Sequence, residues 1–288
     1  MSTPRHAYEG GVKYGVELTQ GSAVSAATQI PGNIVDVDYD LEQQFHESFG
    51  PGNENLQAQT PVAYRYPIRL DFEPHDGSGG TFLKEYCQRS TVDGSIAALT
   101  IQCASSRIDS ASDIFAGCVC SRLRLSAAQR GILTASTEWV AMHGSESGGA
   151  ISWTRPTNRP YTWAKAAWYD GEQATDIYPI SIDLTLEHNL NEVYAMLTSV
   201  AGDATDYETS HLFPGYTNVR AEVRALSKIA LTDVDNITVV YTFTGQNSTY
   251  TLTLSNGVYR GARRRIPSND LVEFGIPMTF RTVSMTEA

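Results

Sequence analysis

The chain has 288 residues, 41% of them hydrophobic and 10% aromatic, which is enough to bury a real core and too apolar for a disordered chain. Its 21 Lys and Arg against 32 Asp and Glu give a net charge of −11. That balance argues against a general nucleic-acid binder, which needs clustered cations to neutralise phosphates, but it leaves DNA open as a cargo.

The first segment, residues 1–29, is rich in Gly, Ser, Thr and Ala without a sustained period and reads as an N-terminal arm. From Asn33 strands are expected. In VDVDYD the carboxylates Asp36, Asp38 and Asp40 fall on one strand face. Leu41, Phe45 and Phe49 then recur at i, i+4 and i+8, which predicts a short helix. YRYPIRLDF alternates cleanly, DGSGG reads as a turn, and SIAALTIQCASS, CVCSRLRLS and GILTASTEWVAM read as strands. Cys87, Cys103, Cys118 and Cys120 are expected as buried, reduced thiols, with a disulfide or a metal as alternatives.

Residues 146–177 break the pattern with a Gly/Ser-rich start, prolines and Trp153, Trp163 and Trp168. They read as a linker whose tryptophans either dock on a partner or cap the protein's own core. Strands then resume in YPISIDLTL, NVRAEVRALS, NITVVYTFTG, STYTLTLSNGVYR and FGIPMTFRTV. Leu186, Leu190 and Tyr194 repeat the helix-like stripe and predict a second short helix.

The chain also resembles itself. A shift of 145 sets Asp38 on Asp183, Leu41 on Leu186 and Glu42 on Glu187. A shift of 151 sets Ile68 on Val219 and Arg69 on Arg220, and one of 141 sets Arg122 and Arg124 on Arg263 and Arg265 and Trp139 on Phe280. Blocks in the same order, separated by changes in loop length, predict a mainly β protein of two tandem, related β-sandwich or barrel domains, each with one short helix. The expected divisions are an arm at 1–29, a first domain at 30–145, a linker at 146–177 and a second domain at 178–288.

No catalytic constellation is visible, and no cofactor or metal is expected. GSESG lacks the spacing of a nucleophile elbow, and the histidines at 6, 46, 75, 143, 188 and 211 form no ligand pair. His46 and His188 read as surface or loop residues. The DVDYD carboxylates lack the Gly-centred loop of a calcium site.

VDVDYDLEQQFHESFGPGN, YRYPIRLDF and CVCSRLRLSAAQRGILTASTEWVAM, echoed by ISIDLTLEHNLNEVYA, VRAEVRALS and RRRIPSNDLVEFGIPMTF, resemble the tail tube proteins of long-tailed (siphovirus-like) viruses. The resemblance implies a structural virion protein that stacks rings of six barrel-like domains into a DNA conduit. Two domains in one chain would close such a ring with three copies. It also implies self-association, initiator and terminator proteins as partners, viral DNA as non-specific cargo and a place in the virion tail. Long loops at 50–59 and 198–213 would touch the next ring. Asp36, Asp38 and Asp40 then become candidate lumen acids, with a solvated outer face as the alternative. Arg260, Arg263, Arg264 and Arg265 become candidate subunit contacts, as do Trp153, Trp163 and Trp168, with a solvated edge as the alternative for the arginines. No apolar run approaches the about 20 residues of a membrane helix, and MSTPRHAYEGG has no apolar centre of a secretion signal, so synthesis in the host cytoplasm and no membrane partner are expected. The alternative function is a two-domain β-rich carbohydrate-binding or adhesin module using the tryptophans as sugar platforms.

Overall fold

The alternation of apolar and polar side chains becomes strands along most of the chain. The computed structural model describes residues 11–49, 56–104, 112–147, 151, 152, 154, 156–194, 209–227, 235–259, 261, 263–265 and 272–288. Its first half runs β1 (Gly11–Val16), β2 (Thr28–Gln29), β3 (Gly32–Tyr39), β4 (Glu42–Phe49), β5 (Leu56–Pro74), α1 (Gly79–Tyr86), β6 (Leu99–Ala104), β7 (Ser112–Ala128), β8 (Thr134–Ala141) and β9 (His143–Ser147). The second half runs β10 (Thr162–Asp170), β11 (Gln173–Ala174), β12 (Ile177–Glu187), β13 (Leu190–Tyr194), β14 (Thr209–Pro214), β15 (Asn218–Ser227), β16 (Asp235–Thr244), β17 (Thr249–Tyr259), β18 (Arg263–Arg265), β19 (Val272–Phe280) and β20 (Thr282–Glu287).

The principal sheet is antiparallel and runs β3–β5–β8–β7–β12–β15–β19, with β18 and the end of β17 on the far side of β19. Its inner face is apolar on strand after strand: Ile68, Leu70 and Phe72, then Leu123 and Leu125, then Leu184 and Leu186, then Ile276 and Met278 are all buried. The strands β1, β2, β6 and β9 form a second ladder with the front of β7, and β10, β16, β17 and β20 form another in the second half. β7 serves both ladders because it turns at Gly117, whose φ of 68° favours glycine; a Cβ there would lie 2.6 Å from the Met142 sulfur.

Within the principal sheet, β5 meets β8 with Ile68 opposite Trp139, and β15 meets β19 with Val219 opposite Phe280. These are the residues that the shifts of 151 and 141 set on one another. Bulges between Ile34 and Asp36 on β3 and between Pro179 and Ser181 on β12 are 145 residues apart. The ladders of β3 and β12 differ by one pleat: Asp38 faces Arg69, whereas Asp183 faces Glu222 and not Arg220. A two-residue slip keeps every side chain on its face.

Neither expected helix forms. Residues 42–49 are strand β4, paired with β5, and the second stripe is divided between the end of β12 and β13, paired with β14. The reason is geometric: residues four apart share a face in a strand as well as in a helix, so that spacing cannot separate the two. The helix that does form, α1, follows the turn expected at DGSGG: residues 76–78 make the turn and the helix starts at Gly79. Its Phe82 and Leu83 are buried, with the Phe82 ring 5.1 Å from Tyr14 and 5.9 Å from Phe72.

The expected arm and linker are also partly woven into the sheets. Residues 1–10 lie outside the described residues, but β1 pairs with β6, and Val12 is buried. Just beyond, the buried Glu17 carboxylate accepts hydrogen bonds from Gly117 N at 2.8 Å, Thr100 Oγ1 at 2.7 Å and Gly21 N at 2.8 Å. In the linker, β10 pairs along β16 from Thr162 to Asp170. Apolar burial outweighs the loop-like composition in both places.

The two halves are tied on the inner side by polar contacts. Glu287, at the end of β20, accepts hydrogen bonds from Thr81 N at 2.7 Å, Thr81 Oγ1 at 2.9 Å and Gly77 N at 2.9 Å, and from Tyr161 Oη. A carboxylate at the first turn of α1 satisfies amides that Ser78 leaves without a side-chain cap, and it suits the positive end of the helix dipole. Burial alone would raise the Glu287 pKa, but the hydrogen bonds from Tyr161, Thr81 and Ser248 outweigh it and hold it below the usual value. His188, expected as a surface or loop residue, is in the loop after β12 but buried, at the other end of α1, with Nε2 3.0 Å from the Cys87 carbonyl and Nδ1 3.0 Å from Thr217 Oγ1. All four cysteines are buried and free.

A Glu287→Gln chain should lose about 1–3 kcal/mol of stability near neutral pH, read from urea denaturation. Because the folded pKa is depressed, the charged form stabilises the fold above the ordinary value of 4.5, and that part is lost as pH falls through the folded pKa. The wild-type chain should therefore show an acid-side loss of stability that the Gln variant shows more weakly.

Candidate functional site

The outer face of the principal sheet is heavily charged, and the strand period makes it so. Each residue between two core positions points outward, so IRLDF presents Arg69 and Asp71, SRLRLS presents Arg122 and Arg124, and SIDLTLE presents Asp183, Thr185 and Glu187. Lateral pairing converts these local alternations into rows. Asp38 stands opposite Arg69, Arg69 opposite Glu138, Glu138 opposite Arg122 and Arg122 opposite Glu187, so that sign alternates from β3 to β12.

The ion pairs follow the rows. Arg122 reaches Glu138 at 3.0 Å and Glu187 at 3.1 Å, and Arg124 forms a two-pronged pair with Asp183. Two of these pairs cross from β7 to β12, the junction of the two halves. On β5, Arg69 takes Asp71 in a fork of 2.8 and 3.2 Å, which offsets the repulsion between Asp71 and the facing Asp36. Hydrogen bonds donated to Asp71, Glu187 and Asp183 respectively are the main reason the pKa values of Arg69, Arg122 and Arg124 rise above the ordinary arginine value. An open groove of about 860 Å³ runs along this face, its walls including Arg69, Arg122, Arg124, Glu138, Asp183 and Arg220. At its rim, Arg65 of β5 lies 2.9 Å from Glu192 of β13 and 3.6 Å from Glu42 of β4.

Among the residues singled out from sequence, Asp36, Asp38 and Asp40 are exposed at the β3 edge of this face. Arg263, Arg264 and Arg265 form β18, with Arg263 opposite Gly275 and Arg265 opposite Glu273, so the acids and the arginines occupy opposite edges of the sheet. Arg260 and Trp153 lie outside the described residues. Trp168 follows the core-capping alternative: it is buried in the second half, 3% exposed. Trp163 is half-buried, with its ring 5.3 Å from Tyr241 and 5.9 Å from Phe243. Large apolar rings gain more from this core than from solvent. The sequence reading passed over Glu138, Asp183 and Glu187 as partners of the arginines. Their outward positions were visible in the alternation, but their pairing across 16 to 65 residues was not.

A broad antiparallel sheet with an apolar underside, an ion-paired outer face and, among the described residues, two unpaired edge strands describes a structural protein that works through its surfaces. The family model for phage tail tube protein matches residues 12–282, nearly the whole chain, and the chain belongs to that family. It is thus a structural tail tube protein, a component of a virion tail that assembles into a tube. No curated protein matches the chain. Among the described residues no helix is long and apolar enough to cross a membrane.

The pair across the junction is partly solvated, with Arg122 42% and Glu187 33% exposed in their side chains. A double-mutant cycle with Arg122→Ala and Glu187→Ala should give a coupling of about 0.5 kcal/mol in urea denaturation at low salt, shrinking in high salt.

Proposed function

We propose that three copies of the chain close into a ring of six similar sheet units, and that the rings stack into a conduit for viral DNA. The observation that carries this reading is the recurrence of one strand order. β3–β5–β8–β7 in the first half is followed by β12–β15–β19–β18 in the second, and the two rows join edge to edge at β7–β12. A protein that joins two such units head to tail within one chain is suited to join further units between chains, and a head-to-tail contact that closes makes a ring. The division into a first domain at 30–145 and a second at 178–288, with β1 and β10 packed onto them, belongs to this reading.

The charged outer face then lines the lumen. Arginines on a DNA-facing wall would hold phosphates, and every neutralised phosphate adds affinity. Here Arg69, Arg122 and Arg124 are engaged by Asp71, Glu138, Glu187 and Asp183, while Asp36, Asp38 and Glu222 add further negative charge to the same face. A wall on which these three cations are already occupied holds fewer phosphates, although Arg220 and Arg224 of β15 stand exposed on the same face with no ion pair among the described residues. The β4–β5 hairpin and the β13–β14 ribbon reach the next ring; much of the expected contact loops at 50–59 and 198–213 lies outside the described residues. Initiator and terminator proteins set the two ends, and the chain is made in the host cytoplasm. The burial of Trp168 removes the main support for a sugar-binding module.

Electron microscopy of the concentrated, purified chain tests the reading. Rings with threefold symmetry and six similar lobes, stacked into tubes, are expected. Rings of six whole chains, or tubes whose wall lacks a paired-lobe repeat, would overturn the three-copy ring.

A further inference from the structure

We infer that the wall holds its cargo at one place in each chain: Arg220 and Arg224 of β15 take phosphates of the DNA backbone, with the hydroxyls of Thr185, Thr279 and Ser181 on the strands beside them. This inference rests on the conduit reading above and names the residues of that face that contact the duplex.

A comparison of the two copies brings these residues out. The shift of 151 that sets Arg69 on Arg220 also sets Asp71 on Glu222 and Glu73 on Arg224. In the first copy all three side chains are committed: Arg69 holds Asp71 in its fork, and Glu73 accepts a hydrogen bond from Asn33 Nδ2 at 3.0 Å. In the second copy Arg220 and Glu222 stand two apart on the same face without pairing, and the third position carries a base where the first copy has an acid. Both arginines are exposed, and among the described residues neither has an ion pair.

The strand register gives the reason. Arg220 stands between Thr185 of β12 and Thr279 of β19, and Arg224 between Ser181 and Gly275, so no carboxylate lies directly opposite either one. Glu222, between them on β15, faces Asp183, whose charge Arg124 already takes. Arg220, Thr185, Thr279 and Asn218 all line the open groove of this face. Neighbouring strands lie about 4.8 Å apart, so a phosphate on the Arg220 guanidinium is within reach of hydroxyl donors on either side. A guanidinium fork matches two phosphate oxygens, and a hydroxyl can donate to a third. Four residues of extended strand span about 13 Å, which lets Arg220 and Arg224 take separate phosphates.

The first half offers nothing equivalent. Arg65, Arg69, Arg122 and Arg124 each hold a carboxylate, and Asp36 and Asp38 add acids at its edge. In the ring proposed above, free guanidiniums would therefore recur on every second unit, separated by units that repel phosphate. Glu222 between the two arginines and the acids of the neighbouring units keep each contact weak. Evenly spaced weak contacts centre a duplex without arresting it, because every neutralised phosphate adds only a small, salt-dependent increment of affinity.

Fluorescence anisotropy of a short, fluorescein-labelled DNA duplex, titrated with the dispersed chain at low salt, tests the contact. The wild type should bind weakly and lose the duplex as salt rises. A chain with Arg220→Ser and Arg224→Ser should bind about tenfold more weakly, and the slope of log affinity against log salt should flatten by about 2, the release of two phosphate contacts. A control with Arg159→Ser and Arg281→Ser removes the same charge from exposed positions off the groove and should keep the wild-type slope. Arg220→Lys with Arg224→Lys keeps both charges and should keep the slope as well, which separates lost contacts from a damaged fold. If the wild type does not bind the duplex, or the control loses as much as the first variant, the contact is wrong, while the ring reading still stands or falls on its micrographs. If a poly-glutamate peptide binds through the same two arginines more tightly than the duplex, the face takes an acidic protein and the DNA contact is overturned. If the duplex binds through Arg220 and Arg224 but the chain builds no ring, the contact is upheld and the conduit reading falls.

Discussion

The antiparallel ladder between β7 and β12 is the contact on which the rest of the structure depends. Without it each half would end in a long strand with unpaired backbone, a surface that proteins normally cover or blunt. With it, two short rows become one sheet, and the apolar underside of each half continues into the other. The ladder uses both faces at once: leucines meet on the inner side, and arginines meet carboxylates on the outer side. The leucines supply most of the stabilisation, since partly solvated ion pairs contribute little each. The charges fix register instead, because a slip by one residue would turn Arg122 and Arg124 into the core.

Further ties between the halves run through α1. Glu287 of the last strand closes its N-terminal end, and His188, just past β12, closes its C-terminal end at the Cys87 carbonyl. Gly80 allows the close approach, because a Cβ there would lie 2.5 Å from the Tyr250 ring. A helix of eight residues containing Gly79 and Gly80 has little intrinsic stability; its place is set by the second half of the chain. The helix is thus a product of the junction and not a cause of it.

This explains which parts could be read from the sequence. Alternation in YRYPIRLDF, CVCSRLRLS and NVRAEVRALS is a local signal with a local cause, and it becomes β5, β7 and β15. The stripes Leu41, Phe45, Phe49 and Leu186, Leu190, Tyr194 misled because an even spacing satisfies helix and strand alike. α1 was hidden because its stability comes from Phe82 and Leu83 burial and from Glu287, some 200 residues away. The arginine rows were half legible: Arg122 and Arg124 stood out as a pair resembling Arg263 and Arg265, but their partners lie on strands that only the fold brings alongside. For Trp168 the sequence left docking and core capping both open, and long-range packing decides for the core; His188 is buried because α1 and Thr217, distant in sequence, close over it.

Joining two units through a single chain changes the statistics of assembly. The connection from β7 through β10 to β12 keeps one seam at a fixed, high effective concentration, so it forms with folding and does not dissociate on dilution. In the proposed ring of three chains, half of the seams would be settled before any two molecules meet. Fewer bodies must come together to close the first ring, and fewer joints are free to open when the tail is strained. The two halves also gain freedom to diverge, since one seam answers only to intramolecular fit while the other must still recognise a neighbour.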